Sequence, residues 1–395
     1  MFNIETHITP DTYEMISSNG EEFKDGGIYV GTSGSLVYYY KKIKYYQSKN
    51  IQEEVKEALE GFQIAFETNL EVWKMQSMKT KQIASFFLGM PGLLTLGYLV
   101  FSDTNKTHAD EWLGRLLDYC ELPIQAGELL YGHTGLLYCL LLIKSNNPEL
   151  SKIDEVIKNI TIELIHYGIN EELDDMLNNN ESTLYYEFYH TPYLGAAHGF
   201  FGIIYMILKA FEFIPLQEIP NKLQKLVFNT CVWLLKFQNE EGNFPSTEFS
   251  AGAELVHFCH GAPGSIPFLL QAYEFYQDDR FLESAIKAGN VVFTKGIVKK
   301  GNNLCHGIAG NSYSLFTLAR VTGDEQWKYK AYWLVNATYM KSVLIKCAKH
   351  KDPTRRVTGT ADTIYSLMEG RMGLAVLYLD VLTDDDSMKF PGYEI

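Results

Sequence analysis

Apolar runs alternate along this chain with segments whose polar positions keep to one side. The apolar runs include LLTLGYLVF (93–101), LLYCLLLI (136–143), IIYMILKAF (203–211), SIPFLLQAYEFY (265–276), SYSLFTLARV (312–321) and LAVLYLDVL (374–382). They are hydrophobic on nearly every side, which predicts helices buried all round. The second kind is represented by IQEEVKEALEGFQIAFETNL (51–70) and DDRFLESAIKAGNVVFTKGI (278–297). There the apolar residues recur at helical spacing and leave one charged face, as expected of helices lying over a core.

A pair of small residues three apart precedes each apolar run. The pairs are Gly31/Gly34, Gly89/Gly92, Gly132/Gly135, Gly199/Gly202, Gly261/Gly264, Gly307/Gly310 and Gly370/Gly373. Seven copies at steps of 43 to 67 residues make an array of supersecondary units. Each unit reads as an inner apolar helix and an outer amphipathic one. The inner helices are too apolar to line an open groove. The prediction is therefore all-α: a double-layered α/α toroid of seven helical hairpins, favoured over an open solenoid. No linker divides the chain, so residues 1–395 read as one domain with terminal extensions packed on the ring. Residues 238–253 and 346–360 read as loops bordering the ends of the inner helices. The stretch 83–101, the nearest approach to a membrane span, carries glycines and a proline and reads as a buried helix.

In a ring all seven glycine turns meet at one end, so residues placed in them converge from distant parts of the chain. Repeat four reads Ala-Ala-His198-Gly199, repeat five His257-Phe-Cys259-His260-Gly261, and repeat six Leu-Cys305-His306-Gly307. Two thiolates and one imidazole suit zinc, and three protein ligands leave one position open for a water or a substrate. Cys259 and Cys305 supply the sulfurs; either His306 or His260 supplies the nitrogen. His198 reads as a ligand or an acid/base group, and His133 is a weaker candidate in repeat three.

Composition narrows the function classes. The net charge of −14 opposes a main partner among nucleic acids, whose phosphates need clustered Lys and Arg. The polar N-terminal sequence MFNIETHITP carries no secretory signal. A cytoplasmic protein without an integral membrane span follows, peripheral association being left open. Its six cysteines stay reduced, and Cys120, Cys139 and Cys231 act as small buried hydrophobes.

The motifs GAAHGFFGIIY (195–205), LVHFCHGAPG (255–264), KKGNNLCHGIAGNSY (299–313), SLMEGRMGLAVLYLD (366–380) and FPGYEI (390–395) together resemble the lanthionine synthetase C-like family, in particular its eukaryotic members. The resemblance covers nearly the whole chain and implies a toroid with seven inner and seven outer helices. It implies one zinc ion on Cys259, Cys305 and His306, and a catalytic role for His198. Bacterial relatives add a cysteine thiol to dehydroalanine or dehydrobutyrine. Eukaryotic relatives look like glutathione-binding proteins that add glutathione to such residues in proteins. The implied partners are glutathione and dehydroamino-acid-containing peptides or proteins, kinases among them. Lys300 matches a lysine that contacts glutathione. Two arginines of relatives are not matched: one aligns with Gly359, near Arg355 and Arg356, and the other has no counterpart in MFNIETHITP. The implied activity is a zinc-dependent glutathione S-transferase-like Michael addition; the alternative is a non-catalytic zinc- and glutathione-binding adaptor. Other helical toroids fit less well. A zinc prenyltransferase subunit normally adds an aspartate ligand, and a glycosidase needs two placed carboxylates, which do not recur in the motifs.

Overall fold

The computed structural model describes residues 25–169, 182–298, 300–340, 365–383 and 388–395. Paired helices follow one another through it. The odd-numbered ones are the apolar runs: α1 (Gly34–Ser48), α3 (Met90–Phe101), α5 (His133–Asn146), α7 (Phe200–Phe211), α9 (Ala262–Tyr276), α11 (Ile308–Thr322) and α13 (Arg371–Thr383). The even-numbered ones are amphipathic: α2 (Gln52–Lys74), α4 (Lys106–Cys120), α6 (Asp154–Tyr167), α8 (Asn221–Leu235), α10 (Asp279–Lys295) and α12 (Glu325–Ala337). Among the described residues there is no β-strand, only the isolated bridges Phe188–Thr191 and Tyr193–Thr247.

The two kinds bury themselves as their sequences demand. In α7 every residue except Lys209 is buried. In α2 the buried set is Val55, Ala58, Phe62, Ala65, Phe66, Asn69 and Trp73, a single stripe at three- and four-residue steps. The outer helices α10 and α12 start on Asp278 and Asp324, whose carboxylates accept backbone N–H bonds from Arg280 and Gln326.

Each inner helix packs on the next, and α13 packs back on α1, so the array is a closed α/α toroid. A buried ionic junction ties the closure. Asp380 of α13 accepts from Lys41 Nζ of α1 at 2.8 Å and from Tyr313 Oη of α11 at 2.7 Å. Helix α3 begins at Met90, so residues 83–89 of the expected buried helix form the turn before it. Residues 238–253 are loop, as expected. The 346–360 loop, Arg355, Arg356, Gly359 and the N-terminal MFNIETHITP lie outside the described residues.

The C-terminal extension packs against the inner helices of the ring. Phe390 stacks on Phe258 with ring centroids 4.0 Å apart, and the fully buried Tyr393 lies 4.7 Å from Tyr205. The Tyr393 hydroxyl donates to the carbonyls of Phe201 and Gly264, at the starts of two different inner helices. Glu394, 3% exposed, accepts from Arg320 at 2.6 Å, from Thr317 at 2.8 Å and from the backbone N–H of Phe390 at 3.0 Å. Gly392 turns at φ +83°, with its Cα against the Phe87 ring, where a side chain has no room. Removing the Glu394 carboxylate leaves the Arg320 Nη2 and the buried Phe390 N–H without this acceptor, while Thr317 keeps the Tyr313 carbonyl. Glu394→Ala is expected to destabilise the fold by about 3 kcal/mol, read as a lower midpoint in urea at unchanged slope.

Candidate functional site

The paired glycines exist because the turn before each inner helix doubles back on itself. A β-carbon on Gly199 would strike the carbonyl of Tyr193, and one on Gly202 that of Ala196; the same clash with the residue six earlier recurs at Gly264, Gly310 and Gly373. The doubled-back turn presents one residue, five before the second glycine, toward the neighbouring repeat. Backbone hydrogen bonds link these residues around the ring. The N–H of Cys259 donates to Cys305 (3.2 Å), that of Cys305 to Met368 (2.8 Å), that of Met368 to Tyr29 (3.0 Å) and that of Tyr29 to Phe87 (3.1 Å). Repeats five, six, seven, one and two are thereby stitched together at one mouth of the toroid.

This stitching brings Cys259, Cys305 and His306 together. Their ligand atoms all lie within 4.8 Å of one another. Donors held tetrahedrally by zinc sit roughly 3.5–3.8 Å apart, so this set needs only slight closing to hold the ion. Cys305 is 3% exposed, while Cys259 keeps part of its surface. The Cys305 thiol is pushed well up by its hydrogen bond to Cys259, by burial and by the Cys259 charge; His306 opposes the shift. Two thiolates side by side in a buried place need a cation between them. The donor chemistry and spacing therefore fit a soft divalent metal. Tyr29, from repeat one, puts its hydroxyl 2.6 Å from Cys305 Sγ.

His198 follows Gly195-Ala-Ala at the mouth of α7. Gly195 lies against the peptide carbonyl of Cys259 with no space for a β-carbon, which sets the His198 turn beside repeat five. His198 Nδ1 lies 2.7 Å from Glu128 Oε2. Glu128 is 2% exposed and accepts the backbone N–H groups of Leu130 and Tyr131. The imidazole stacks on Phe188 at 4.8 Å and 3°, and Tyr131 stacks on Phe188 in turn. Tyr193 lies between His198 and His260, with ring centroids 5.9 and 5.7 Å away.

The remaining sequence candidates separate cleanly. His260 is outside the three-residue donor group; its Nδ1 is buried with no hydrogen-bond partner among the described residues. Burial, then His198 and His257, pushes it down to about 4. Lys300 is exposed, close enough to His257 for its charge to help hold that imidazole down. His133 is not in the cluster: its Nε2 bonds the Leu122 carbonyl at 2.9 Å, and it is 2% exposed. Cys139 and Cys231 are fully buried and Cys120 partly so, as small hydrophobes. Sequence reasoning missed Glu128 and Tyr29. Both stand out once the seven turns are aligned on their second glycine. Tyr29 then shares a column with Cys259 and Cys305, and Glu128 shares one with His257.

Burial holds His133 below the ordinary histidine value of 6.5. The unfolded chain takes up a proton there that the fold resists, so this contribution to stability is complete above pH 6.5 and is lost as the pH falls below it. His133→Gln, which keeps a donor for the Leu122 carbonyl, is expected to flatten the fall in melting temperature between pH 7 and pH 5.5. Scanning calorimetry at the two pH values checks it.

Comparison with known proteins adds relatives to this geometry. The model of the family described as lanthionine synthetase C-like protein matches residues 22–395. Glutathione S-transferase LANCL1 of Danio rerio is 31% identical over 322 residues, 80% of this chain and 75% of that protein. LanC-like protein GCL1 of Arabidopsis thaliana is 30% identical over 334 residues, 80% of this chain and 71% of that one. The solved structure of nisin cyclase superposes with a TM-score of 0.67 at 14% identity, covering 98% of this chain and 96% of that one. At that identity it speaks for the fold alone.

Proposed function

The chain belongs to the lanthionine synthetase C-like family, and from that premise we propose that it is a zinc-dependent enzyme that adds the thiol of glutathione to dehydroalanine or dehydrobutyrine residues of peptides or proteins. The observation that carries the proposal is the meeting of Cys259, Cys305 and His306 within 4.8 Å at the mouth of the ring. The name of the zebrafish relative supports glutathione as the thiol, and that of the structural relative a cyclase-like carbon–sulfur chemistry. Neither the site nor these names point to kinases as the peptide partner. No helix among the described residues is long and apolar enough to cross a membrane. A glutathione-using reaction with reduced ligand cysteines suits the cytoplasm.

Zinc on the three residues would supply a Lewis acid with an open position, which lowers the pKa of an incoming thiol and holds it as the nucleophile. Sulfur adds to the β-carbon, the double-bond electron pair moves to the α-carbon and carbonyl, and a proton completes the α-carbon. His198 is the proton donor in this reading. Glu128 accepts a hydrogen bond from its Nδ1–H and fixes the ring against Phe188, so Nε2 takes the proton that the thiol loses and returns it to the α-carbon. The buried carboxylate is itself held by two backbone N–H groups, so the pair keeps its geometry without substrate. In this reading the exposed Lys300 offers its ammonium to a glutathione carboxylate.

Incubating zinc-loaded protein with glutathione and a dehydroalanine peptide is expected to give a thioether heavier than the peptide by the mass of one glutathione, read by mass spectrometry. Absence of any adduct above background, with glutathione still bound in calorimetry, would replace the enzyme by the binding-protein reading. Cys305→Ala is expected to lose both the metal and the adduct. His198→Gln is expected to keep the metal and lose about two orders of magnitude in kcat, and Glu128→Gln about one.

A further inference from the structure

We propose that Tyr29 is a positioning residue that spares the metal-holding sulfur of Cys305 from alkylation. The inference rests on the metal-centre reading above and deepens it. A thiol transferase of this kind faces a selectivity problem in its own ligands. Three thiolates would meet at one ion, and each has a lone pair able to attack an electrophilic β-carbon. Attack by Cys305 would join its Sγ to that carbon, move the double-bond pair to the α-carbon, take a proton from solvent and leave a dead thioether.

The Tyr29 hydroxyl lies 2.6 Å from Cys305 Sγ, across 276 residues of sequence. Its place is held from three sides. The Tyr29 N–H donates to Phe87, its carbonyl accepts from Met368, and its ring meets Phe87 edge-on at 5.7 Å and 83°. Met368 in turn accepts the N–H of Cys305, so the phenol and the sulfur belong to one stretch of the stitched mouth. A phenol O–H donated to a ligating sulfur occupies a lone pair and draws electron density from it. A hydrogen bond to a charged acceptor is strong enough to slow attack by about tenfold.

The test compares wild-type protein with Tyr29→Phe, each loaded with cobalt(II) and with zinc. The cobalt forms report the sulfur-to-metal charge-transfer band. The zinc forms are treated with N-ethylmaleimide, and modification of Cys305 is timed by peptide mass spectrometry. Tyr29→Phe is expected to take up one metal, move the band to longer wavelength and alkylate Cys305 about tenfold faster. An unmoved band with an unchanged rate overturns the proposal, as does a tyrosinate absorbance appearing when the wild type is loaded, since the phenol would then be a ligand. If Tyr29→Phe loses its fold or its metal, 3-fluorotyrosine at position 29 takes its place. The stronger donor is expected to move the band to shorter wavelength, and no movement overturns the proposal. A wild type that takes up no cobalt sinks the metal-centre reading first and this inference with it.

Discussion

Five of the turns at the mouth of the toroid are hydrogen-bonded to one another through backbone, and the arrangement of the cysteines and Tyr29 depends on it. Each turn doubles back so tightly that its two glycines touch the carbonyls six residues earlier. Only then can the residue five before the second glycine present its N–H and C=O sideways, to the next repeat. Cys259 to Cys305, Cys305 to Met368, Met368 to Tyr29 and Tyr29 to Phe87 form one belt. Side chains attached to such a belt are placed by peptide geometry rather than by their own torsions, which suits a site that must hold sulfur atoms at fixed separations.

The belt needs support from below, and the end of the chain supplies part of it. Phe390 stacks under Phe258, the residue before Cys259, while the Tyr393 hydroxyl bonds carbonyls at the starts of α7 and α9. A ring of seven apolar helices would otherwise enclose a void, and voids are costly. Filling it with a segment that carries polar atoms works because those atoms are paired. Glu394 meets Arg320 and Thr317, and the N–H of Gly392 meets the Tyr138 hydroxyl.

The chemistry is divided between two neighbourhoods. Cys259, Cys305 and His306 form a sulfur-rich corner on repeats five and six, with Tyr29 against Cys305. His198 stands on repeat four with a buried carboxylate behind it and an aromatic ring beneath it. The Tyr193 ring lies between His198 and His260. In the proposed reading one side holds a soft ion, and the other a proton in a fixed direction.

Much of this was legible in the chain itself. Burial on all sides or on one face is written in hydrophobic spacing, and so is the alternation of inner and outer helices; the glycine pairs count the repeats. Cys-His at equivalent places in two repeats singled out Cys259 and Cys305 with either His260 or His306, because equivalent places in a ring are neighbours. What tertiary structure decided was anything that depends on direction. The sequence leaves two Cys-His pairs alike, yet His306 joins the sulfurs and His260 does not, since adjacent residues on a turn point different ways. His133, the weaker candidate, turned to the Leu122 carbonyl. Glu128 and Tyr29 carry no motif at all. Their roles exist only because the ring closes and sets residues 70 and 276 positions apart within hydrogen-bonding distance, a separation no local pattern can encode.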